Sequence, residues 1–382
     1  MICMIDVQPL LGPKSGVAQY ISGLLYGFER IGSKHHIKLS YFDFKRKGLP
    51  ELDHTKCFDK HPIYLPGRIF SYIWKYYDFP SYNALFGSAE IYHFPNFIMR
   101  PISSGRAVVT IHDVSFLRFP QYTEPKNLKY LTRKIKETLN LAHHIIVVSQ
   151  FTKDEMLNFF PMSEDKVSVI HPGIITNRFV KRVQGVSRIK LPKKYMLYVG
   201  NIEPRKNLRG LLLSFKNALL KNSAQDLYLV IAGEKAWLYD EIMGISEDPA
   251  IKDRIVFTGY VSDEDLTEIY KNALFFVFPS LYEGFGMPPL EAMAFNLPVI
   301  ASSSGSLPEV LGDAALMVDP ENLEDLAEKI CMMANNRDIR EEYCRRGQIQ
   351  IRKYNWEESA KKTLDVYEKT SLNPEYAIES GE

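Results

Sequence analysis

Glu283 and Glu291 stand with seven residues between them, a spacing that can turn two carboxylates toward one ligand. Glu283 belongs to a Glu-Gly-Phe-Gly turn, and Glu291 follows within the segment that Pro288-Pro289 opens. Carboxylates grip polyhydroxylated ligands because each oxygen accepts hydrogen bonds from neighbouring hydroxyls, and charge-assisted bonds are about twice as strong as neutral ones. A second cluster, Arg205-Lys206, follows Gly200-Asn201-Ile202-Glu203-Pro204 and precedes a helical stretch. Two cations at a strand-to-helix turn suit a diphosphate, since positive charge and helix amides act on the same oxygens. A third, Val109-Thr110-Ile111-His112-Asp113, puts His112 just past a strand end, where α/β folds place ligand contacts. His93 is a weaker candidate of the same kind. Solvated glutamates, a solvated basic turn and a structural histidine are the plainer readings of these clusters.

The elements that must carry these residues are legible as apolar runs. Leu274 to Phe278 reads as a buried parallel strand that stops at Pro279. Gly284 and Gly286 then allow close backbone approach to a ligand, and the short helix that follows ends near Asn296, with Pro298 beyond. Further strands are expected at Tyr195–Val199, Leu227–Ala232, Ile255–Thr258, Val299–Ala301 and Leu316–Val318, with a helix over Leu208–Leu220. The N-terminal half predicts strands at Ile2–Val7, Ile37–Phe42, Glu90–Phe94, Ala107–His112, Ile145–Ser149 and Val167–Gly173, and a helix over Val17–Ile31. Gly16 precedes that helix but fits neither a Walker loop nor a dinucleotide fingerprint. Strands alternating with helices in both halves argue two doubly wound parallel sheets. The aromatic stretch 64–86, with Tyr72, Trp74, Tyr76, Tyr77 and Phe79 among Arg68 and Lys75, predicts either plain helix packing or a mobile acceptor-binding or interfacial helix. A final helix is expected from Trp356, capped by Asn355.

A chain of 382 residues exceeds what one core usually organises. The expected division is a domain over 1–173, a hinge over 174–191, a second domain over 192–354, a crossover helix over 355–372 and a tail over 373–382. Hydrophobic content of 46% and charged content of 24% are those of a soluble globular protein. The net charge of +1 hides an asymmetry, since residues 1–180 carry +7 and the rest −6. A basic first half could attract anionic head groups or a pyrophosphate; nucleic acid is not an expected partner. The four cysteines show no metal-ligand spacing, so a reduced, cytoplasmic setting is expected. No apolar stretch reaches the roughly 18 residues of a membrane span, which predicts a protein neither secreted nor integral.

The string from Phe278 through Glu283-Gly284-Phe285-Gly286 to Glu291-Ala292-Met293-Ala294 resembles the Glu-x7-Glu signature of the retaining nucleotide-sugar glycosyltransferases of family 4. Gly200 to Asn207 is similar to that family's Arg-Lys-Asn phosphate-binding turn, and Thr110-Ile111-His112-Asp113 to its string beside the transferred sugar. The resemblance implies the GT-B fold: two Rossmann-like domains facing a cleft, with a C-terminal helix crossing back to the first. It implies transfer of a hexose from a nucleoside diphosphate sugar, GDP-mannose favoured, to a glycan or a lipid-pyrophosphate-linked oligosaccharide. On this resemblance Arg205 and Lys206 stabilise the leaving diphosphate, the role a divalent ion fills in other glycosyltransferase folds, so neither metal nor cofactor is expected. Glu291 would hold the ribose, Glu283 the sugar, and the amides about Gly284, Phe285 and Gly286 its other hydroxyls. His112 would lie near the sugar's 6-position. Gly16 and Gly200 would border the phosphates, and Gly259 and Tyr260 the base. The strings look most like mannosyl- and rhamnosyltransferases of bacterial O-antigen or capsule assembly, with peripheral contact at the inner membrane. A sugar epimerase and a non-catalytic nucleotide-sugar-binding subunit are the alternative functions.

Overall fold

The computed structural model describes residues 1–12, 15–50, 55–123, 125–175, 189–221 and 224–372. They form two compact units. One comprises Met1–Val114, Lys126–Gly173 and the chain from Asn355 onward; the other comprises Ser115–Pro125 and Ile174–Tyr354. Most of the expected hinge and all of the expected tail lie outside the described residues.

The first unit is built on seven parallel strands: β1 (Ile2–Asp6), β2 (His36–Phe42), β3 (Asp59–Ile63), β4 (Ile91–Phe94), β5 (Arg106–Ile111), β6 (His144–Val147) and β7 (Val167–Val169). Their order is β3-β2-β1-β4-β5-β6-β7, so the winding reverses at β1, which pairs with β2 and β4. Ligands of such sheets bind outside the carboxyl ends at the reversal. Between the strands run α1 (Gly16–Ile31), α2 (Gly67–Ile73), α3 (Tyr82–Phe86), α4 (Ser115–Arg118), which is part of the second unit, α5 (Pro125–Leu141) and α6 (Gln150–Phe159). Ser15 Oγ accepts the Ala18 amide at 3.2 Å to start α1, and Gly32, at φ 62°, ends it. Ser149 caps α6 likewise, accepting from the Thr152 amide at 3.0 Å. β3 is an addition to the expected strands. Its sequence Asp-Lys-His-Pro-Ile has no apolar run, and it can hold Pro62 because it is an edge strand with β2 as its sole neighbour.

The second unit repeats the plan with six parallel strands: β8 (Tyr195–Val199), β9 (Tyr228–Ala232), β10 (Ile255–Gly259), β11 (Phe275–Phe278), β12 (Val299–Ser302) and β13 (Leu316–Val318). The order is β10-β9-β8-β11-β12-β13. β11 is buried at every residue, as a strand covered on both faces must be. Helices α7 (Leu208–Leu220), α8 (Asp240–Ser246), α9 (Asp263–Asn272), α10 (Met287–Ala294), α11 (Leu307–Leu311), α12 (Leu323–Asn335) and α13 (Arg337–Gln350) follow their strands. The reversal falls between β8 and β11, which lie side by side with Phe275 opposite Met196. The turns after these two strands are therefore neighbours, though 77 residues separate Lys206 from Glu283 in sequence.

The last helix, α14 (Trp356–Leu372), belongs to the first unit and packs on α1. Asn355 Oδ1 starts it by accepting the Glu357 and Glu358 amides at 2.7 and 3.3 Å. The seat is cut by glycine: a Cβ on Gly23 would stand 2.0 Å from Trp356 Cε2, one on Gly27 2.2 Å from the Trp356 carbonyl, and one on Gly173 2.2 Å from its amide. Trp356 is thereby almost wholly buried.

Candidate functional site: two turns laced by charge

The turn after β8 is rigid before any side chain is considered. The Ile202 amide donates to Glu234 and the Ala236 amide to Ile202, at 2.8 and 3.1 Å, tying it to the turn after β9. Pro204–Lys206 forms one turn of 3-10 helix. Asn207 then takes a left-handed conformation and caps α7 through Oδ1 to the Gly210 amide at 3.1 Å. The Arg205 carbonyl accepts from the Leu281 amide at 2.9 Å and lies 3.2 Å from Ser280 Oγ, which joins this turn to the one after β11.

Side chains complete the lacing. Lys206 Nζ donates to Glu283 Oε1 at 2.7 Å, and Ser280 Oγ reaches the same oxygen at 2.6 Å. Arg205 Nη1 donates to the Tyr282 carbonyl at 2.7 Å and lies 3.5 Å from Glu283 Oε2. Its Nη2 donates to Glu203 Oε1 at 2.7 Å. Both carboxylates are buried, Glu203 at 2% exposure and Glu283 at 8%. Burial pushes the Glu283 carboxyl up, but Lys206, then Arg205 and the hydrogen bonds, outweigh it and hold it below its ordinary value. The ion pair therefore stabilises the fold above the ordinary carboxylate range, and that contribution is lost as pH falls through the lowered value.

The backbone of Glu283 is held as firmly. Its carbonyl accepts from the Ser306 amide at 3.1 Å and Ser306 Oγ at 3.0 Å. Gly305, at φ 66°, makes room, since a Cβ there would lie 2.8 Å from the Glu283 amide nitrogen. Gly286, at φ 96°, starts α10, and a Cβ there would stand 2.5 Å from Leu307 Cδ2. Glu291, inside α10 and 6% exposed, accepts from Tyr270 Oη at 3.4 Å, while the Tyr270 ring stacks on Phe295 at 4.9 Å. Gly284 and Phe285 complete the turn, and the Phe285 ring meets Tyr354 edge-on at 5.4 Å. Gly200 follows β8, and its amide donates to Ala232 at 2.9 Å. Gly259 ends β10, with an exposed Tyr260 beside it, two strands from β8.

The structure thus brings Arg205, Lys206 and Glu283 into one cluster, and adds Glu203 and Ser280, to which motif reading gives no role, with Ser306 of the small-residue turn 302–310 behind them. No sequence signal marks Glu203 as buried, because that depends on contacts across the sheet. An Asp-x-Asp triplet, Asp263-Glu264-Asp265, is present, so the supposed lack of one gives no support to metal independence, and that expectation is left with the cations alone. That triplet forms the first turn of α9, where Ser262 Oγ accepts the Asp265 amide at 3.1 Å and the acids complement the helix's positive end.

In the first unit, His112 and Asp113 follow β5 as expected, and Gly16 is the exposed first residue of α1. His112 Nε2 lies 2.8 Å from the Pro95 carbonyl. A carbonyl only accepts, so Nε2 carries the hydrogen. Burial draws the His112 pKa down despite the Pro95 bond and Asp113, which leaves a neutral ring whose Nδ1 is an acceptor. Tyr20 meets that ring edge-on at 4.9 Å. His93 is core: Nδ1 is 2.6 Å from Tyr367 Oη and Nε2 2.7 Å from Thr110 Oγ1. Burial, followed by repulsion from His112, lowers its pKa to about 3. In the aromatic stretch, α2 has no buried residue. Trp74 is the buried peg after it, donating to the Pro80 carbonyl at 2.8 Å. Tyr72, Tyr77 and Phe79 are 67%, 68% and 76% exposed, and Lys75 Nζ lies over the rings of Tyr76 and Tyr130.

A model described as Glycosyl transferases group 1 matches residues 180–350, and one described as Glycosyltransferase Family 4 matches 58–178. Over 284 residues the chain is 35% identical to O-antigen chain mannosyltransferase B of Escherichia coli, covering 72% of this chain and 74% of that one. The chain belongs to glycosyltransferase family 4. This family 4 protein is also 27% identical over 273 residues to the serotype-specific mannosyltransferase WbdA of Escherichia coli, a match that covers 69% of this chain but 33% of WbdA. Its fold matches that of sucrose-phosphate synthase from Thermosynechococcus elongatus with a TM-score of 0.72 at 19% identity, covering 96% and 98% of the two chains. The expected GT-B class, two Rossmann-like parallel sheets, is the one found. Among the described residues no helix is long and apolar enough to cross a membrane.

Proposed function

We propose that this family 4 protein transfers a mannosyl unit from a nucleoside diphosphate sugar, GDP-mannose first among them, to a glycan or lipid-linked oligosaccharide, with retention and without metal. The observation that carries the reading is the cluster of Arg205, Lys206 and Glu283 at the carboxyl edge of the second sheet. The relative named O-antigen chain mannosyltransferase B supports the choice of sugar. The barrier to transfer lies largely in charge developing on the leaving diphosphate, and fixed cations stabilise it without reorganising. Lys206 has three donors, so it can keep Glu283 and hold a phosphate oxygen together. Glu283 accepts sugar hydroxyls, Glu291 the ribose, and the amides of the Gly284–Gly286 turn face the remaining hydroxyls. Gly200, Gly259 and Tyr260 border the nucleotide. In the first unit, the acceptor nitrogen of His112 suits a sugar hydroxyl, and Gly16 opens the start of α1 to an anion. The setting is cytoplasmic, in keeping with four free cysteines.

The test is a donor panel of GDP-mannose, UDP-glucose, UDP-galactose and dTDP-rhamnose, assayed for transfer and slow hydrolysis in excess chelator. GDP-mannose is expected to turn over, undiminished by chelator. Activity lost to chelator and restored by magnesium or manganese would refute the cation assignment. Binding without turnover of any donor would leave the non-catalytic subunit.

The two glutamates should separate. Glu291→Ala is expected to weaken donor and free nucleoside diphosphate alike, since the ribose is common to both. Glu283→Ala should not weaken nucleoside diphosphate binding, since it removes a negative charge from beside Lys206 and Arg205, and should lower turnover. Each loses a charged hydrogen bond worth about 1.5–3 kcal/mol, so each effect should be about tenfold or more. Calorimetric titration with GDP decides it, and the opposite pattern reverses the assignment.

The exposed aromatics in and just after α2 are assigned to the head-group layer of an anionic membrane. Aromatic bodies with basic neighbours suit that layer, and Asp78 is the only acid among residues 67–79, against Arg68 and Lys75. The protein should sediment with phosphatidylcholine–phosphatidylglycerol vesicles and not with phosphatidylcholine alone. Replacing Tyr72, Tyr76 and Tyr77 by serine should abolish that; equal sedimentation of the triple variant would rule this surface out.

A further inference from the structure

We infer that Glu203 is a positioning residue that fixes Arg205 in the diphosphate site and sets the charge that site presents. The inference rests on the donor reading above. Glu203 is 2% exposed, and the charge of its carboxylate is met by one guanidinium: Arg205 Nη2 donates to its Oε1 at 2.7 Å. The other end of that guanidinium is aimed at the turn after β11, with Nη1 2.7 Å from the Tyr282 carbonyl and 3.5 Å from Glu283 Oε2. Glu203 therefore holds one side of a planar fork whose other side sets the distance to Glu283. Its backbone also starts the 3-10 turn, since the Lys206 amide donates to the Glu203 carbonyl at 3.1 Å. A buried carboxylate in a turn that is to receive a diphosphate is costly for anion binding, and position alone does not require it.

Formal charge gives the reason. Arg205 and Lys206 carry two positive charges, Glu203 and Glu283 two negative ones, and the cluster sums to zero. A pair of cations without Glu203 would keep a net positive charge and hold the spent nucleoside diphosphate after the sugar has gone. With Glu203 in place the guanidinium is aimed before the donor arrives, while the field that would retain the product is reduced. Aim serves the transition state and low net charge serves release, so the one residue acts on turnover through both.

Glu203→Gln keeps the shape and an oxygen that can accept from Arg205, and removes the charge. It should bind GDP about tenfold more tightly, as expected for deleting one like charge near a bound anion, while kcat falls because the product is slow to leave. A merely structural role would weaken binding and turnover together. Glu203→Asp keeps the charge and shortens the reach. It should bind GDP as the unaltered protein does and still lose turnover, because Arg205 is no longer held in register. Calorimetric titration with GDP, or UDP if the unaltered protein does not bind GDP, is read beside kcat, with circular dichroism melts on both variants. Glu203→Gln binding the diphosphate no more tightly than the unaltered protein overturns the inference. So does Glu203→Asp binding GDP about tenfold more tightly than the unaltered protein, an outcome that also serves if the glutamine variant does not fold. Failure of the unaltered protein to bind GDP or UDP would instead overturn the donor reading on which the inference stands.

Discussion

Lys206→Ala is expected to lower turnover by about two orders of magnitude, the size of losing one preorganised donor at a developing charge. Two effects combine. The diphosphate loses its flexible cation, whereas Arg205 is already engaged with Glu203 and the Tyr282 carbonyl. Glu283 also loses its nearest charge partner, at 2.7 Å, and is left with Ser280 and the longer Arg205 contact. Burial is the largest single influence on that carboxyl, and Lys206 the largest opposing it. Without Lys206 the Glu283 pKa should rise, and the acid limb of the pH–activity profile should move to higher pH with it. Steady-state kinetics across pH check both parts. Turnover like that of the unaltered protein would show that the diphosphate lies elsewhere.

Trp356→Ala should cost about 3–5 kcal/mol of stability, as large-to-small changes at fully packed aromatic sites do. The indole lies directly on Gly23, which has no side chain that could collapse into the space, while Gly27 and Gly173 admit the Trp356 backbone. Gly23→Ala attacks the same contact from the other side, because its new methyl would stand 2.0 Å from Trp356 Cε2. The double variant should therefore be less destabilised than the sum of the two, the mark of a shared contact. Urea unfolding followed by circular dichroism measures all three. A Trp356→Ala protein within about 1 kcal/mol of the original would show that α14 is held by other contacts.

How much of this was legible in the sequence depended on whether an element carries its own reason. Strands buried on both faces, such as Phe275–Phe278 and Tyr195–Val199, announce themselves as apolar runs. Caps such as Asn355 are legible too, because the acceptor and the amides it serves are near neighbours in sequence. β3 is not legible in the sequence because an edge strand with one partner needs no apolar run and can include Pro62. The site residues stand out as types at turns, but their partners do not. Motif reading puts Lys206 at a diphosphate and Glu283 at a sugar; that they bond to each other follows from β8 and β11 being adjacent. His93 reads like His112 in sequence, each near a strand's carboxyl end, and differs because Tyr367, 274 residues away, closes over it.

The join between the units has a consequence for how such a chain can be rearranged. The Ile174 amide donates to the Tyr354 carbonyl at 3.1 Å. One residue outward, the Gly173 backbone lies against Asn355 and Trp356 so closely that a Cβ would stand 2.6 Å from the Asn355 carbonyl carbon. The chain departs for its long excursion and comes home at a single spot. Residues 174–354 are, in this sense, an insertion into a host whose cut ends almost touch, the geometry in which domain insertion is tolerated. A cassette with these two graft points can be replaced by the corresponding stretch of a relative, leaving the host's own strands unbroken. The short segment Ser115–Pro125, which packs with the cassette while being encoded in the host, has to be exchanged with it.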